Sequence, residues 1–230
     1  MPAVVSSDIV RALNMNRKVR VEAYSVSDKV EDRIKEVLSS CLTGTGCEEI
    51  HGPLYTVIKE LLINAVKANY KNIYFENYDP KKSSALLSYE TALKLFKLEM
   101  SRDQAAHFER KAREKDIRAD VVFARNDGLL HVHVANPASM TDIELTNVQK
   151  KLAYARKCQD ISEYFLEEEE DPHKEGAGLG LILIIMVLKS LGLRPSDFII
   201  ESGHHGTVAC FSIPLDVGTM SSFRVSSGKN

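Results

Sequence analysis

The chain has no strong excess of charge of either sign, no apolar run long enough to cross a bilayer and no closely paired cysteines. Each lack removes a class of function. Thirty Lys and Arg against 32 Asp and Glu leave a net charge of -2, so there is no basic footprint for nucleic acid and no polybasic signal for a membrane surface. The expected partners are proteins or small molecules. The longest apolar run, Leu179 to Leu188, falls far short of the roughly 20 residues a spanning helix needs. The N-terminus lacks the charged region and apolar segment of a secretory leader, so the expectation is a cytoplasmic protein. Cys41, Cys47, Cys158 and Cys210 are scattered without CxxC spacing, which argues against a zinc site or a disulfide framework and predicts reduced thiols.

With 230 residues, 44% of them hydrophobic, the chain is long enough for one sizeable core, or for one domain carrying an insertion. Residues 18 to 25 alternate as a half-buried strand does, and a helix is expected from about Asp28 to Cys41. A turn at Thr43-Gly44-Thr45-Gly46 leads into a second helix, and Ile73 to Glu76 reads as a short strand. From Asp79-Pro80 to about Lys115 the sequence is helical and highly charged, with Ser101 and Gln104 spaced as a capping box that would divide it in two. Ala119 to Ala124 and Leu129 to Ala135 alternate around Arg125-Asn126-Asp127-Gly128, a hairpin signal. Thr141 with Glu144 opens another helix, which runs into the acidic stretch Glu167 to Asp171. A last hairpin is expected around Gly203-His204-His205-Gly206, and the tail from Asp216 is small, polar and expected to be disordered. About six strands and three or four framework helices, mostly joined by hairpins, predict an α/β (α+β) two-layer sandwich. Its sheet would be mixed but mostly antiparallel and covered by helices on one face, with a helical insertion.

Two stretches more than a hundred residues apart carry the chemistry. In the first, Leu54, Val57, Ile58, Leu61, Leu62 and Ala65 recur at three- and four-residue steps and form the core-facing side of a helix. Glu60, Asn64, Lys67 and Lys71 share one edge of it, offering an acid, a neutral oxygen ligand and two cations. Such a row suits a phosphate-metal centre, because Mg2+ takes a few protein oxygens beside waters and phosphate oxygens, and a lysine neutralises phosphate charge. In the second, Gly176-Ala177-Gly178-Leu179-Gly180 precedes Leu181 to Leu188, apolar all round and so a buried helix ending near Leu191-Gly192. Glycines let a backbone approach a ligand closely, and the N–H groups that open a helix attract an anion. The stretch is neither a dinucleotide fingerprint, which needs a preceding strand, nor a P-loop, which ends in Gly-Lys-Ser/Thr.

The order of these motifs resembles the Bergerat-fold (GHKL) ATPases, the group containing gyrase B, heat-shock chaperone ATPases, sensor histidine kinases, anti-sigma serine kinases and MutL. Glu60-Leu61-Leu62-Ile63-Asn64-Ala65-Val66-Lys67 looks like their N box, and Gly176 to Leu181 like their second glycine box. Gly206-Thr207 matches the threonine that supports their adenine pocket. The resemblance covers roughly residues 18 to 215, apart from the 79 to 115 insertion, with residues 1 to 17 as an N-terminal arm. It implies ATP and Mg2+ as ligands, with Asn64 on the metal, Lys67 near the phosphates and Glu60 as the base that orients or deprotonates the attacking group. It further implies that Gly176, Gly178, Leu179 and Gly180 form the phosphate loop, that Thr207 lies beside the adenine, and that residues 140 to 175 form a lid.

The chain departs from the family at the first glycine box, where Asp-x-Gly-x-Gly is replaced by Asn136-Pro137-Ala138-Ser139-Met140. Asn136 can still accept a hydrogen bond from the adenine amino group through its side-chain oxygen, but without charge assistance. A loss of about 1 to 2 kcal/mol would weaken ATP by on the order of tenfold or more.

Two functions follow. The first is Mg-ATP-dependent phosphoryl transfer to a partner protein in signalling, with the layout closest to the anti-sigma serine kinases; no dimerisation hairpin with an accepting histidine is seen, so the acceptor lies on another chain. The second is a weakly active or inactive nucleotide-binding switch, with the 79 to 115 insertion as partner surface or as the face of a homodimer. A third reading, a metal site from His131, His133, His204 and His205, is disfavoured because adjacent histidines in a strand point to opposite faces.

Overall fold

The computed structural model describes residues 7–15, 17–76, 89–101, 105–158 and 179–216. Five strands, β1 (Val19–Ala23), β2 (Ala119–Asn126), β3 (Leu129–Asn136), β4 (Ile199–Gly203) and β5 (Gly206–Pro214), form one sheet in the order β1-β2-β3-β5-β4. Every pairing in it is antiparallel. Seven α-helices accompany it among the described residues: α1 (Ser7–Asn14), α2 (Asp28–Leu42), α3 (His51–Glu76), α4 (Tyr89–Ser101), α5 (Ala105–Glu114), α6 (Asp142–Lys157) and α7 (Leu179–Ser190). This is an α+β two-layer fold with an open sheet.

The alternation of each strand assigns its two faces. Val21, Ala119, Val121, Phe123, Leu130, Val132, Val134, Phe211 and Ile213 are buried under the helices, each large side chain contributing about 1.5 to 3 kcal/mol of transfer free energy. Arg20, Glu22, His133, Ile199 and Glu201 stand exposed on the opposite face. Strands β2 and β3 are joined by a two-residue turn at Asp127 and Gly128, both with positive φ, as an Asp-Gly hairpin requires. The predicted apolar side of α3 is realised, with Leu54, Val57, Ile58, Leu61, Leu62 and Ala65 all buried. The predicted stop near Gly192 is also present. Leu193 N–H bonds the Leu188 carbonyl at 3.0 Å and Gly192 N–H the Lys189 carbonyl at 2.8 Å, the double closure of a glycine-terminated helix.

One expectation is corrected. Ile73 to Glu76 is no strand but the last turn of α3, which leaves five strands and no parallel pair among the described residues. The cause is tertiary: Tyr70 stacks on Phe108 with ring centroids 5.6 Å apart, and Tyr74 meets Phe96 at 5.5 Å. Those aromatic contacts hold the helix against α4 and α5 and override the strand preference of the local sequence. The same contacts show that the part of the 79 to 115 insertion described here packs on its own domain, with Phe96 and Phe108 buried. Its described part is helical, as α4 and α5, and the division expected at Ser101 and Gln104 falls across residues that are not described. The N-terminal arm contains α1, whose Ile9 and Leu13 enter the core.

A charged cluster ties α2 to the start of α3. Lys59 Nζ lies 2.8 Å from Glu31 Oε1, and the Tyr55 hydroxyl donates to the other Glu31 oxygen. The Lys59 contact first, and the Tyr55 hydroxyl second, hold the Glu31 carboxyl below its ordinary pKa. A depressed folded-state pKa contributes stability above the unfolded value that disappears as pH falls through the folded one. Glu31→Gln is therefore expected to cost about 1 kcal/mol at pH 7. Its deficit against the unaltered protein should shrink once the pH drops below about 4. Urea melts at pH 7 and pH 3 would check this, and an equal deficit at both would rule out the ion pair as its source.

Candidate functional site

Helix α3 presents Glu60 half-buried and Asn64 and Lys67 exposed along one edge, while its neighbours Leu61, Leu62, Ala65 and Val66 are buried. Packed against that edge is the N-terminal end of α7. A methyl group built on Gly180 would lie 2.8 Å from Glu60 Oε2 and 3.8 Å from Asn64 Nδ2. The space that Gly180 lacks a side chain to fill is thus the space the Glu60 carboxylate uses. The fold brings Glu60, Asn64, Leu179 and Gly180 together across 120 residues of sequence. The described start of α7 thus lies beside an acid and an amide of α3. Gly176 and Gly178 lie outside the described residues, as do the acidic stretch and residues 159 to 175 of the expected lid.

Lys71, on the same edge of α3, is engaged rather than directed at a ligand: its ammonium pairs with Glu144. Glu144 also closes the predicted capping box of α6, accepting from Thr141 N–H at 2.9 Å while its own N–H bonds the Thr141 hydroxyl at 3.3 Å. At its other end α6 is anchored to α7 by Lys189, whose ammonium meets the carbonyl oxygens of Ala155, Arg156 and Cys158. Cations at a helix C-terminus satisfy carbonyls left without partners. The described part of residues 140 to 175 is therefore packed on the domain, with Leu152 and Ala155 buried.

The residues expected beside the base lie where β3 ends. Asn136 and Thr207 face each other in the β3–β5 register and are 7% and 8% exposed. Asn136 Nδ2 donates to the Ala138 carbonyl at 3.2 Å and to Asn69 Oδ1 at 3.3 Å. Asn69, 2% exposed on α3, was not among the residues singled out from the sequence. Its signal there was a polar residue at a core-facing position, since a buried amide implies a partner.

Thr207 does more than border the site. Its hydroxyl donates to the Ala138 carbonyl at 2.8 Å and lies 3.0 Å from the Ser202 hydroxyl, which accepts from Met140 N–H at 2.8 Å. Read in order, Met140 N–H, Ser202, Thr207 and the Ala138 carbonyl form one relay in which each hydroxyl both accepts and donates, an arrangement that strengthens each bond. A second hydroxyl, of Ser139, donates to the Gly203 carbonyl at 2.6 Å. Hydroxyls thus pin the loop after β3 to the β4–β5 hairpin.

The four histidines of the strands do not converge. His131 Nδ1 pairs with the Ser212 hydroxyl at 2.7 Å, His204 and His205 form the β4–β5 turn, and burial, then His131 and Lys18, lower the pKa of His133. All four cysteines are free, and burial pushes the Cys41 thiol up to about 12. No helix among the described residues is long and apolar enough to cross a membrane.

The chain matches no family model and no solved structure. A protein of Treponema pallidum (strain Nichols), described as "Uncharacterized protein", is 26% identical over an alignment of 220 residues that covers 93% of this chain and 41% of that protein. The chain thus spans well under half the length of this relative.

Proposed function

We propose that the chain is an ATP-binding regulatory protein of the Bergerat type that transfers the γ-phosphate of Mg-ATP to a partner protein in the cytoplasm. The observation that carries this reading is that a Cβ added at Gly180 would lie 2.8 Å from Glu60 Oε2 and 3.8 Å from Asn64 Nδ2, which sets the described start of α7 beside that edge of α3. It gives a phosphate end to a cleft whose other end is lined by Asn136 and Thr207. Bound there, the triphosphate has the opening turn of α7 and the exposed Lys67 as its cationic surroundings. The donor set fits Mg2+, which binds through one or two protein oxygens and otherwise through water and phosphate; Asn64, with Glu60 beside it, would hold the ion, and the ion would neutralise charge on the phosphates. Glu60, half-buried and held against α7, is the group able to take the proton of an attacking hydroxyl.

A second reading, a nucleotide-binding switch with little turnover, is favoured by one feature. Asn136 supplies no negative charge where the resemblance implies an acid.

Calorimetric titration of ATP with and without Mg2+ tests the pocket. Binding is expected to tighten with Mg2+, and Asn64→Ala should abolish that gain, weakening Mg-ATP by about tenfold or more. Absence of binding at millimolar ATP would sink both readings.

A further inference from the structure

We infer that the free edge of β1 is an interface between two copies of this chain, which pair their β1 strands antiparallel about Val21 and so join two five-stranded sheets into one. The inference goes beyond nucleotide binding and does not depend on it. Strand β1 bonds β2 on one side only, and among the described residues nothing supplies backbone bonds to its other side. A strand edge left in this way is a template for another strand.

The side chains select the occupant. A two-fold axis at Val21, the middle residue of β1, sets Arg20 of each copy opposite Glu22 of the other. Both side chains stand on the open face of the sheet, 55% and 48% exposed. Two pairs of opposite charge result, one on each side of the axis, as the self-complementarity of a two-fold contact requires. On the core side Val21 meets Val21 of the other copy, extending the buried row of Val121 and Val134. The other edge of the sheet fails the same condition: two copies of β4 paired about Glu201, its middle residue, would set Glu201 against Glu201. Edge charges of one sign keep strands apart, and β1 carries one of each sign.

An excess of acid beside this edge is the second observation. Glu22 lies directly opposite Asp120 in the β1–β2 register, and like charges so placed repel. The cations that answer them within the chain are distant. Arg118 lies 3.4 Å from Glu22 and 3.6 Å from Asp120, and Arg20 lies 3.6 Å from Asp120, beyond the roughly 2.7 to 2.9 Å of a charge-assisted bond. Asp120 Oδ1 is buried without a hydrogen-bond partner. Arg20 of a second copy would stand on the free side of Glu22, where the row that Asp120 and Glu22 begin lacks a cation.

Sedimentation velocity on the full chain without nucleotide is the test. A contact between short strands belongs to the small class of interfaces, so the monomer should give way to a dimer between about 1 and 100 µM. Arg20→Glu and Glu22→Arg each turn both cross-pairs into like charges and should weaken self-association by about tenfold or more. Mixed in equal amounts, the two variants restore opposite charges at both pairs and should form a heterodimer within about threefold of the unaltered affinity. The doubly substituted Arg20→Glu, Glu22→Arg chain should self-associate in the same range, which keeps the test decisive if one single variant fails to fold. A chain that stays monomeric at about 100 µM would overturn the inference and leave the edge to an extended segment of another protein. Single variants that dimerise as well as the unaltered chain, or a mixture that recovers nothing, would overturn it as well.

Discussion

Gly206→Ala is expected to lower the melting temperature by about 10 °C or more, the equivalent of roughly 3 kcal/mol or more for a chain of this size. Gly206 opens β5 at φ 106 and runs so close to the end of β3 that an added Cβ would sit 2.1 Å from the Asn136 carbonyl oxygen and 2.8 Å from Pro137 Cα. Both are backbone atoms, so no side-chain rotation relieves the collision. The positive φ adds strain of its own for any residue with a Cβ. The displaced segment would be the one that carries Asn136 and Ala138, so ATP binding should fall with stability. Gly203→Ala is the control at the other side of the same turn: its Cβ would meet nothing within 4 Å, and a change under about 1 kcal/mol is expected. Thermal unfolding followed by circular dichroism reads both, and equal melting temperatures for the two variants would refute the close-approach argument.

Glu60→Gln is expected to reduce phosphoryl transfer by about a hundredfold or more while Mg-ATP binding stays within roughly threefold. The magnitude is that of losing a positioned proton acceptor, and the separation follows from the site. Glutamine keeps the shape that fills the space beside Gly180 and keeps one oxygen, but it cannot accept a proton at neutral pH. Single-turnover assays with labelled ATP and the acceptor protein would measure the first number, and calorimetry the second. Unchanged transfer in Glu60→Gln would remove the base from the mechanism. Binding without transfer in the unaltered protein would favour the switch.

What was legible in the sequence was what local periodicity encodes. The three- and four-residue spacing around Leu61, the apolar run from Leu181, the Asp127-Gly128 turn and the Thr141-Glu144 cap each specify an element through residues close in the chain. So the fold class, and the edge of α3 bearing Glu60 and Asn64, could be read in advance. The last turn of α3 could not. Its aromatic residues have ordinary strand preferences, and they are helical because Phe96 and Phe108, more than 20 residues away, stack on them. Asn69 was hidden for a related reason. It stands five positions after Asn64, which turns it to the buried side of the helix, and its partner Asn136 comes 67 residues later. The relay from Met140 to Ala138 likewise joins residues separated by 62 and 69 positions. Hydroxyls that serve such long-range bonds look in the sequence like ordinary turn residues.

Helix α3 is a single unbroken rod of 26 residues, and it carries Glu60 and Asn64 at one end of the proposed cleft and Asn69 at the other. Their separation is set by helical rise, about 13 Å from Glu60 to Asn69, and not by any loop. The helix is in effect a ruler. One residue inserted between Asn64 and Asn69 would lengthen it by only about 1.5 Å but swing one end by about 100° relative to the other, uncoupling the two halves of the cleft. Length and phase are locked together in this helix, so among the described residues ligand range would drift through the segment at Pro137 to Met140 and not through α3.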